Sequence, residues 1–133
     1  MKIGIVGLGY VGLTLAIVAA ARGAEVIGTE INPKIKAGLK ENRACFFEPG
    51  LDELIAKHNH KNFFCLNKFP EDKKFDAFII TVGTPLKSGT HEPNFDYIRA
   101  AIQSIKKVYD GSQLIILRST VSVGTTRNII LPF

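Results

Sequence analysis

Three glycines near the start of the chain have the spacing of a dinucleotide-binding turn. They follow a short apolar run and lead into an alanine-rich, helix-like stretch, in the order Gly7-Leu8-Gly9-Tyr10-Val11-Gly12. In a strand–turn–helix unit, Gly7 permits the sharp turn, Gly9 lets the backbone approach a pyrophosphate, and Gly12 lets the helix pack closely on the strand. The helix N-terminus then offers free N–H groups to the phosphates. The pattern predicts that residues 7–12 bind a dinucleotide.

An acidic residue at the end of the next predicted strand supports this interpretation. Glu30 lies eighteen residues beyond Gly12, close to the expected position of a ribose-binding carboxylate. A carboxylate accepts hydrogen bonds from both ribose hydroxyls and repels a 2′-phosphate, so Glu30 favours NAD over NADP. The alternative is a solvated glutamate at a strand end. Lys34 lies one turn further on, either near the adenosine ribose or on an exposed helix surface, and the sequence leaves both open.

Composition and charge are those of one globular domain. The chain has 133 residues, of which 46% are hydrophobic and 22% charged, enough to bury a core. The net charge is +5 and the isoelectric point about 9.3. The basic residues are scattered and form no run or patch of the kind that binds nucleic acid. We therefore expect no nucleic-acid partner, and expect the excess charge to attract anionic small molecules.

No segment predicts a membrane span, a metal site or a disulfide framework. The apolar stretch after Lys2 is too short to cross a bilayer before Arg22, and it is better explained as a buried strand and helix than as a targeting signal. Cys45 and Cys65 lack metal-type spacing and are expected to be reduced, buried thiols in a cytoplasmic protein. The pattern His58-x-His60 has no accompanying ligand cluster, so no metal is expected.

Strand-like and helix-like segments alternate along the chain. Strands are predicted over residues 2–6, 24–30, 62–66, 75–82 and 113–118. Helices are predicted over residues 11–22, from Pro33, over residues 51–55, and over residues 95–108 with Asn94 as N-cap. No repeat or interdomain linker interrupts them. The alternation predicts an α/β fold: a single, truncated Rossmann-type domain with a doubly wound parallel sheet in the order 3-2-1-4-5.

Small and polar residues follow four of the five predicted strands. These strand ends are residues 7–10, Glu30, residues 83–85 and residues 119–126. Such residues also terminate strands that bind nothing. However, the carboxyl ends of parallel strands meet at one edge of the sheet, and ligands bind there. Four such ends at one edge therefore predict a ligand site rather than four unrelated turns.

Four segments together resemble a known family. Residues 7–13, 47–51, 82–85 and 119–126 read GLGYVGL, FEPGL, VGTP and STVSVGTT. They occur in the same order in the UDP-glucose/GDP-mannose 6-dehydrogenase family, and the chain resembles that family's N-terminal NAD-binding domain over nearly its whole length. The resemblance implies a nucleotide-sugar dehydrogenase of polysaccharide biosynthesis. Such an enzyme oxidises the C6 alcohol of a UDP-sugar to a uronic acid and reduces two NAD molecules.

The resemblance also implies roles for individual residues. It gives residues 7–12 to the pyrophosphate and Glu30 to the adenosine ribose. It implies that the cofactor channel, beside the ribose next to the nicotinamide, is lined by Val82, Gly83 and Thr84. It places Thr120 near the reacting C6, where it contacts the cofactor and helps to hold a catalytic water. Tyr10 faces either cofactor or substrate in this interpretation, and Glu48 is structural or lies on the cofactor side.

Three positions depart from the family pattern. Arg118 stands where lysine is common, and Ser122 stands where proline is usual. Both lie close to Thr120 in the chain and bear on its local geometry. Glu30 stands where aspartate is commoner, which moves the carboxylate outward by about one methylene. None of the three removes the expected NAD chemistry.

The resemblance implies that part of the enzyme lies downstream of Phe133. The family's thiol nucleophile, its catalytic lysine and its acidic residues belong to a central helix and a substrate domain that residues 1–133 do not include. Cys45 and Cys65 do not match the nucleophile. We therefore expect a fragment that binds NAD without turning over substrate, and a homo-oligomer built through downstream elements.

Two other functions remain open from the sequence. An NAD-binding regulatory module, like those that gate potassium uptake, shares the first motif but does not need residues 82–85 or 119–126. The cofactor domain of a hydroxyacid or phosphogluconate dehydrogenase would lack residues 47–51. Among nucleotide sugars, UDP-glucose and a UDP-N-acetylhexosamine are equally favoured and GDP-mannose less so. The segment 91–93 is similar to that of dehydrogenases of N-acetylated UDP-sugars.

Overall fold

Five parallel strands form the sheet of this domain in the order β3-β2-β1-β4-β5. A computed structural model describes residues 1–132, so Phe133 lies outside the described residues. The strands are β1 (Lys2–Val6), β2 (Glu25–Thr29), β3 (Phe63–Leu66), β4 (Ala77–Ile80) and β5 (Leu114–Leu117). The helices are α1 (Tyr10–Ala21), α2 (Pro33–Lys40), α3 (Leu51–His58) and α4 (Asp96–Lys106), followed by a π-helical turn (Thr126–Ile130). The predicted Rossmann-type topology is confirmed.

The register of the strands brings their carboxyl ends to one edge. At the centre of the sheet, Val6 of β1 lies beside Thr29 of β2 and Ile80 of β4. Ile80 in turn lies beside Leu117 of β5. The residues that follow these strands therefore emerge side by side. This alignment places the glycine turn between the ends of β2 and β4.

Two apolar layers cover the two faces of the sheet. Helices α1 and α3 pack on one face against Ile3 and Ile5 of β1. Helix α4 and the π-helical turn pack on the other face against Val6 and Phe78. Since β1 alternates its side chains between the two layers, it is buried on both faces, as parallel strands require. The sheet that carries the carboxyl edge is therefore packed between two apolar layers.

Several predicted boundaries need correction. Helix α1 begins at Tyr10 rather than residue 11, and α3 continues beyond residue 55 to His58. Strand β4 is shorter than the predicted 75–82 because its ladder with β1 starts at Ala77 and ends at Ile80. Helix α4 is shorter than the predicted 95–108, with Phe95 at the N-cap position.

Asn94 nevertheless makes the predicted type of capping bond one residue early. Its Oδ1 accepts a hydrogen bond from the Asp96 backbone N–H at 2.8 Å. An asparagine can bond its own backbone two residues further on in this way. The side chain therefore satisfies the first free donor of α4, although the helix starts one residue later than a direct N-cap would place it.

Candidate dinucleotide-binding site

A cleft of about 430 Å³ opens at the carboxyl edge of the sheet. Its volume falls in the range of small-molecule sites. It is bounded by the glycine turn, the ends of β2, β3 and β4, and one face of α4. Its walls include Gly7, Gly9, Glu30, Ile31, Asn32, Asn67, Lys68, Val82, Gly83, Tyr97, Ser104 and Lys107.

The three glycines of the turn have separate structural roles. Gly7 adopts a φ of +90°, which L side chains rarely tolerate. A Cβ on Gly12 would overlap the Gly7 carbonyl oxygen and lie 2.5 Å from Thr81 Oγ1, so this position needs glycine for close packing. A Cβ on Gly9 would meet no protein atom within 4 Å. Gly9 is therefore free of any packing requirement and faces space that a ligand can occupy.

The N-terminus of α1 is suited to an anion. Gly9 is its N-cap, with no side-chain capping bond and no acidic residue in the first turn. The first N–H groups and the positive end of the helix dipole thus remain available to phosphates. The Thr81 hydroxyl donates to the Gly7 carbonyl oxygen at 2.7 Å and ties the glycine turn to the end of β4. The sequence analysis did not single out Thr81.

Glu30 is held in the wall of the cleft by backbone donors. Its Oε2 accepts the Leu8 N–H at 2.7 Å, and its Oε1 accepts the N–H groups of Ile31 and Asn32 at 2.7 Å each. The residue is only 8% exposed, so it is not a solvated strand-end glutamate. A carboxylate offers about four acceptor positions. After three backbone bonds it can still accept a ribose hydroxyl.

Seven predicted cofactor residues do not line the cleft, namely Leu8, Tyr10, Val11, Gly12, Lys34, Thr84 and Thr120. The Leu8 side chain is fully buried and packs so closely on β2 that a Cβ on Gly28 would lie 2.6 Å from it. Leu8 can thus meet a ligand only through its backbone. Lys34 is exposed and lies outside the cleft walls, and Val11 is exposed on α1. Lys34 lies on α2 directly before Ile35, which does line the cleft.

Tyr10 links the glycine turn to the segment before α3. Its phenol O–H donates to Glu48 Oε2 at 2.6 Å, and its ring lies 4.8 Å from the ring of Phe46. Accepting this bond and adding negative charge, Glu48 raises the pKa of the Tyr10 phenol. The segment with Glu48 therefore braces the residue that follows Gly9, which gives Glu48 a structural contact beside the cofactor site.

We expect Glu48→Gln to lower the pKa of the Tyr10 phenol towards its ordinary value, because the variant removes the charge that opposes deprotonation. Ultraviolet absorbance of tyrosinate against pH measures this pKa. The chain has three tyrosines, and the titration step that is missing in Tyr10→Phe is the step of Tyr10. The matched control Glu41→Gln should leave the step unchanged. Since the folded pKa is raised, the stabilisation from this contact is full at neutral pH and declines as the pH rises through that pKa. An unchanged Tyr10 step in Glu48→Gln contradicts the interaction.

The loops after β4 and β5 meet beyond the glycine turn. Val82 and Gly83 line the cleft, while the Thr84 hydroxyl donates to the Thr120 carbonyl oxygen at 2.7 Å. Thr120 is exposed. The structure therefore brings Val82, Gly83, Thr84 and Thr120 together at the edge where the sequence placed them.

Two groups of cleft residues escaped the sequence analysis. Asn67 and Lys68 follow β3 and line the cleft, so the strand-end rule would have found them had it been applied to β3. Tyr97 and Ser104 lie on α4, and Lys107 is its C-cap residue. Their spacing of seven and three residues marks one helix face. Their recurrence at helical spacing was the signal in the sequence that could have placed them on one side of the helix, facing the sheet edge.

The cysteines correct one expectation. Cys45 is exposed rather than buried, and its thiol donates to the Lys34 carbonyl oxygen at 3.2 Å. Cys65 is half-buried. Its burial raises the pKa of the thiol, and the nearby Glu30 carboxylate adds a smaller increase.

Within residues 1–132, no three His, Cys, Asp or Glu side chains cluster as metal ligands. No helix in that range is long and apolar enough to cross a membrane.

The chain is similar to known proteins over nearly its whole length. The model of the NAD-binding domain of the UDP-glucose/GDP-mannose dehydrogenase family matches residues 1–133. The chain is 42% identical over 125 residues to a UDP-N-acetyl-D-mannosamine dehydrogenase of Campylobacter jejuni, covering 94% of this chain and 30% of the relative. It is 37% identical over 127 residues to an NDP-N-acetyl-D-galactosaminuronic acid dehydrogenase of Ralstonia nicotianae, covering 96% and 29%.

A solved structure shows the same fold. The GDP-mannose dehydrogenase of Pseudomonas aeruginosa, determined as a ternary complex, superposes with a TM-score of 0.87 at 31% identity. The match covers 99% of this chain and 31% of that protein. The chain thus spans about a third of the length of the relatives it matches, and the match to each is confined to that part.

Proposed function

The chain belongs to the UDP-glucose/GDP-mannose dehydrogenase family and carries its NAD-binding domain, and we propose that it is the cofactor-binding part of a nucleotide-sugar 6-dehydrogenase. The complete enzyme would oxidise the C6 alcohol of a UDP-sugar to a uronic acid and reduce two NAD molecules. Residues 1–133 would supply the cofactor site, and by themselves would bind NAD without turnover. The relatives named above act on N-acetylated sugars or GDP-mannose, which leaves UDP-N-acetylhexosamines ahead of UDP-glucose in this proposal.

The observation that carries the proposal is the fit of the cleft to NAD. The uncapped N-terminus of α1 and the open space at Gly9 suit a pyrophosphate. The carboxylate of Glu30 suits a ribose diol and opposes a 2′-phosphate. Bound there, NAD supplies a hydride acceptor for the oxidation of an alcohol. The chain's own residues bind and orient it.

Val82, Gly83 and Thr84 are proposed to contact the nicotinamide side of the cofactor. Thr120 is proposed to stand beside the reacting carbon and to hold a water there. Its carbonyl oxygen is engaged by Thr84, which leaves its exposed hydroxyl to meet ligands. We assign no reacting role to Cys65, because burial favours its protonated form, and none to the exposed Cys45.

The location and partners of the whole protein belong to the same proposal. Both cysteines are free thiols, as is usual in a reducing compartment, and we propose a cytoplasmic enzyme. A homo-oligomer would form through elements other than those described. The scattered basic residues suit an anionic nucleotide-sugar partner better than nucleic acid.

Production of NADH by the complete gene product tests the proposal. The protein is incubated with NAD and, separately, UDP-glucose, UDP-N-acetylglucosamine, UDP-N-acetylmannosamine and GDP-mannose. We expect two NADH per molecule of one UDP-sugar, and no NADH from residues 1–133 alone. A single NADH per substrate would favour another dehydrogenase class. NAD binding without oxidation of any of these substrates would favour a regulatory module.

A further inference from the structure

Two hydroxyl groups join the loops after β4 and β5 in opposite directions. Ser119 Oγ donates to the Val82 carbonyl oxygen at 2.7 Å, and Thr84 Oγ1 donates to the Thr120 carbonyl oxygen at 2.7 Å. We call these four residues the hydroxyl clasp. Each loop thus contributes one donor and one acceptor, and each bond fixes a main-chain carbonyl of the opposite loop.

The clasp begins where the backbone ladder between the strands ends. The register of β4 and β5 stops at Ile80 and Leu117. The backbone N–H groups of Arg118 and Ser119 then both converge on the Ile80 carbonyl oxygen, at 2.9 and 3.2 Å. Further along the chain, within residues 1–132, the two clasp bonds are the hydrogen bonds that join residues 82–84 to residues 119–121.

Fixing the Val82 carbonyl also fixes the next amide. The peptide between Val82 and Gly83 is planar and trans, so its N–H points opposite to its C=O. Val82 and Gly83 line the cleft, and the Gly83 N–H has no hydrogen-bond partner within the described residues. The Ser119 hydroxyl therefore sets the direction of a free donor in the cleft wall, although Ser119 does not itself line the cleft.

We propose that Ser119 is a positioning residue for the nicotinamide half of NAD. Through its bond to Val82, it orients the Val82–Gly83 peptide that the cofactor's distal ribose and nicotinamide would meet. This inference rests on the proposed placement of that half of the cofactor at residues 82–84. The adenosine and pyrophosphate portions would lie against Glu30 and the glycine turn, which the clasp does not touch.

Binding of NADH and of ADP to residues 1–133 and its variants tests the inference. ADP carries only the adenosine diphosphate portion, so it reports on the part of the cleft remote from the clasp. We expect Ser119→Ala to weaken NADH binding by about three- to tenfold, as for one lost hydrogen bond, and ADP by less than about twofold. Ser119→Thr keeps a hydroxyl and should restore NADH affinity to within about twofold.

The matched control is Ser88→Ala, because Ser88 is exposed in the loop after β4 and its hydroxyl is outside the clasp. It should bind both ligands like the wild type. Equal losses for NADH and ADP in Ser119→Ala would show a general structural effect and overturn the inference, as would unchanged NADH binding or no rescue by threonine. A wild-type chain that binds NADH no better than ADP would instead overturn the proposed nicotinamide placement, and the inference with it.

Discussion

Replacing Gly12 with alanine is expected to destabilise the domain and to abolish NADH binding together. The added Cβ would overlap the Gly7 carbonyl oxygen and crowd Thr81 Oγ1. The Gly7 carbonyl belongs to the glycine turn and Thr81 anchors that turn to the end of β4, so relief of the overlap must displace the turn or α1. Overpacking of this kind costs about 1–3 kcal/mol or more. Urea unfolding and NADH titration of the same preparation measure the two effects.

Gly9→Ala is the matched control for this change. Its Cβ meets no protein atom within 4 Å, and Gly9 has an ordinary φ of −68°. We therefore expect stability to change by less than about 1 kcal/mol. NADH affinity should still fall by about tenfold or more, because the methyl group blocks the approach of the pyrophosphate to the backbone. A Gly12→Ala protein with wild-type stability, or a Gly9→Ala protein with wild-type affinity, would contradict these separate roles.

Replacing Glu30 with alanine is expected to reduce the preference for NADH over NADPH by about tenfold or more, because the repulsion of a 2′-phosphate disappears. The variant also leaves the N–H groups of Leu8, Ile31 and Asn32 without their acceptor, and these donors can meet that phosphate. Loss of their buried acceptor should lower the free energy of unfolding by about 1–3 kcal/mol. Paired titrations with NADH and NADPH measure the preference.

The variant Glu30→Asp separates the effect of the negative charge from the effect of side-chain length. It retains the carboxylate but shortens the side chain by one methylene, so some of the three backbone bonds should lengthen. The preference for NADH should persist in this variant, since the negative charge remains near the ribose. An unaltered NADH-to-NADPH ratio in Glu30→Ala would show that the carboxylate does not select the cofactor.

The local sequence contains most of the signals for this fold. The order of strand, glycine turn and helix around Gly7 specifies the first unit, and the alternation of apolar segments specifies the parallel sheet. Helix ends were less predictable. Helix α4 starts at Asp96 and not at the predicted residue 95, because the side chain of Asn94 accepts a hydrogen bond from the Asp96 backbone N–H and leaves Phe95 at the N-cap position. The shorter β4 reflects the limits of its ladder with β1, which neighbouring strands set.

The candidate site divides in the same way. Glycine spacing and an acid at a strand end are local patterns, so Gly7, Gly9, Gly12 and Glu30 could be proposed as site residues from the sequence without reference to the fold. The ties made by Thr81 and Ser119 could not be read from the chain. Their partners lie 74 and 37 positions away, and serine or threonine after a strand is common in ordinary turns.

The sequence by itself determined that this protein has a Rossmann-type sheet, with a glycine turn after the first strand and an acidic residue after the second. Only the tertiary structure decided that Leu8 is buried behind the turn, that Lys34 lies outside the cleft walls, and that α4 and the end of β3 complete the cleft. The reason is physical. Steric and capping requirements act within a few residues, whereas a cleft is made by strand register and helix packing between distant segments.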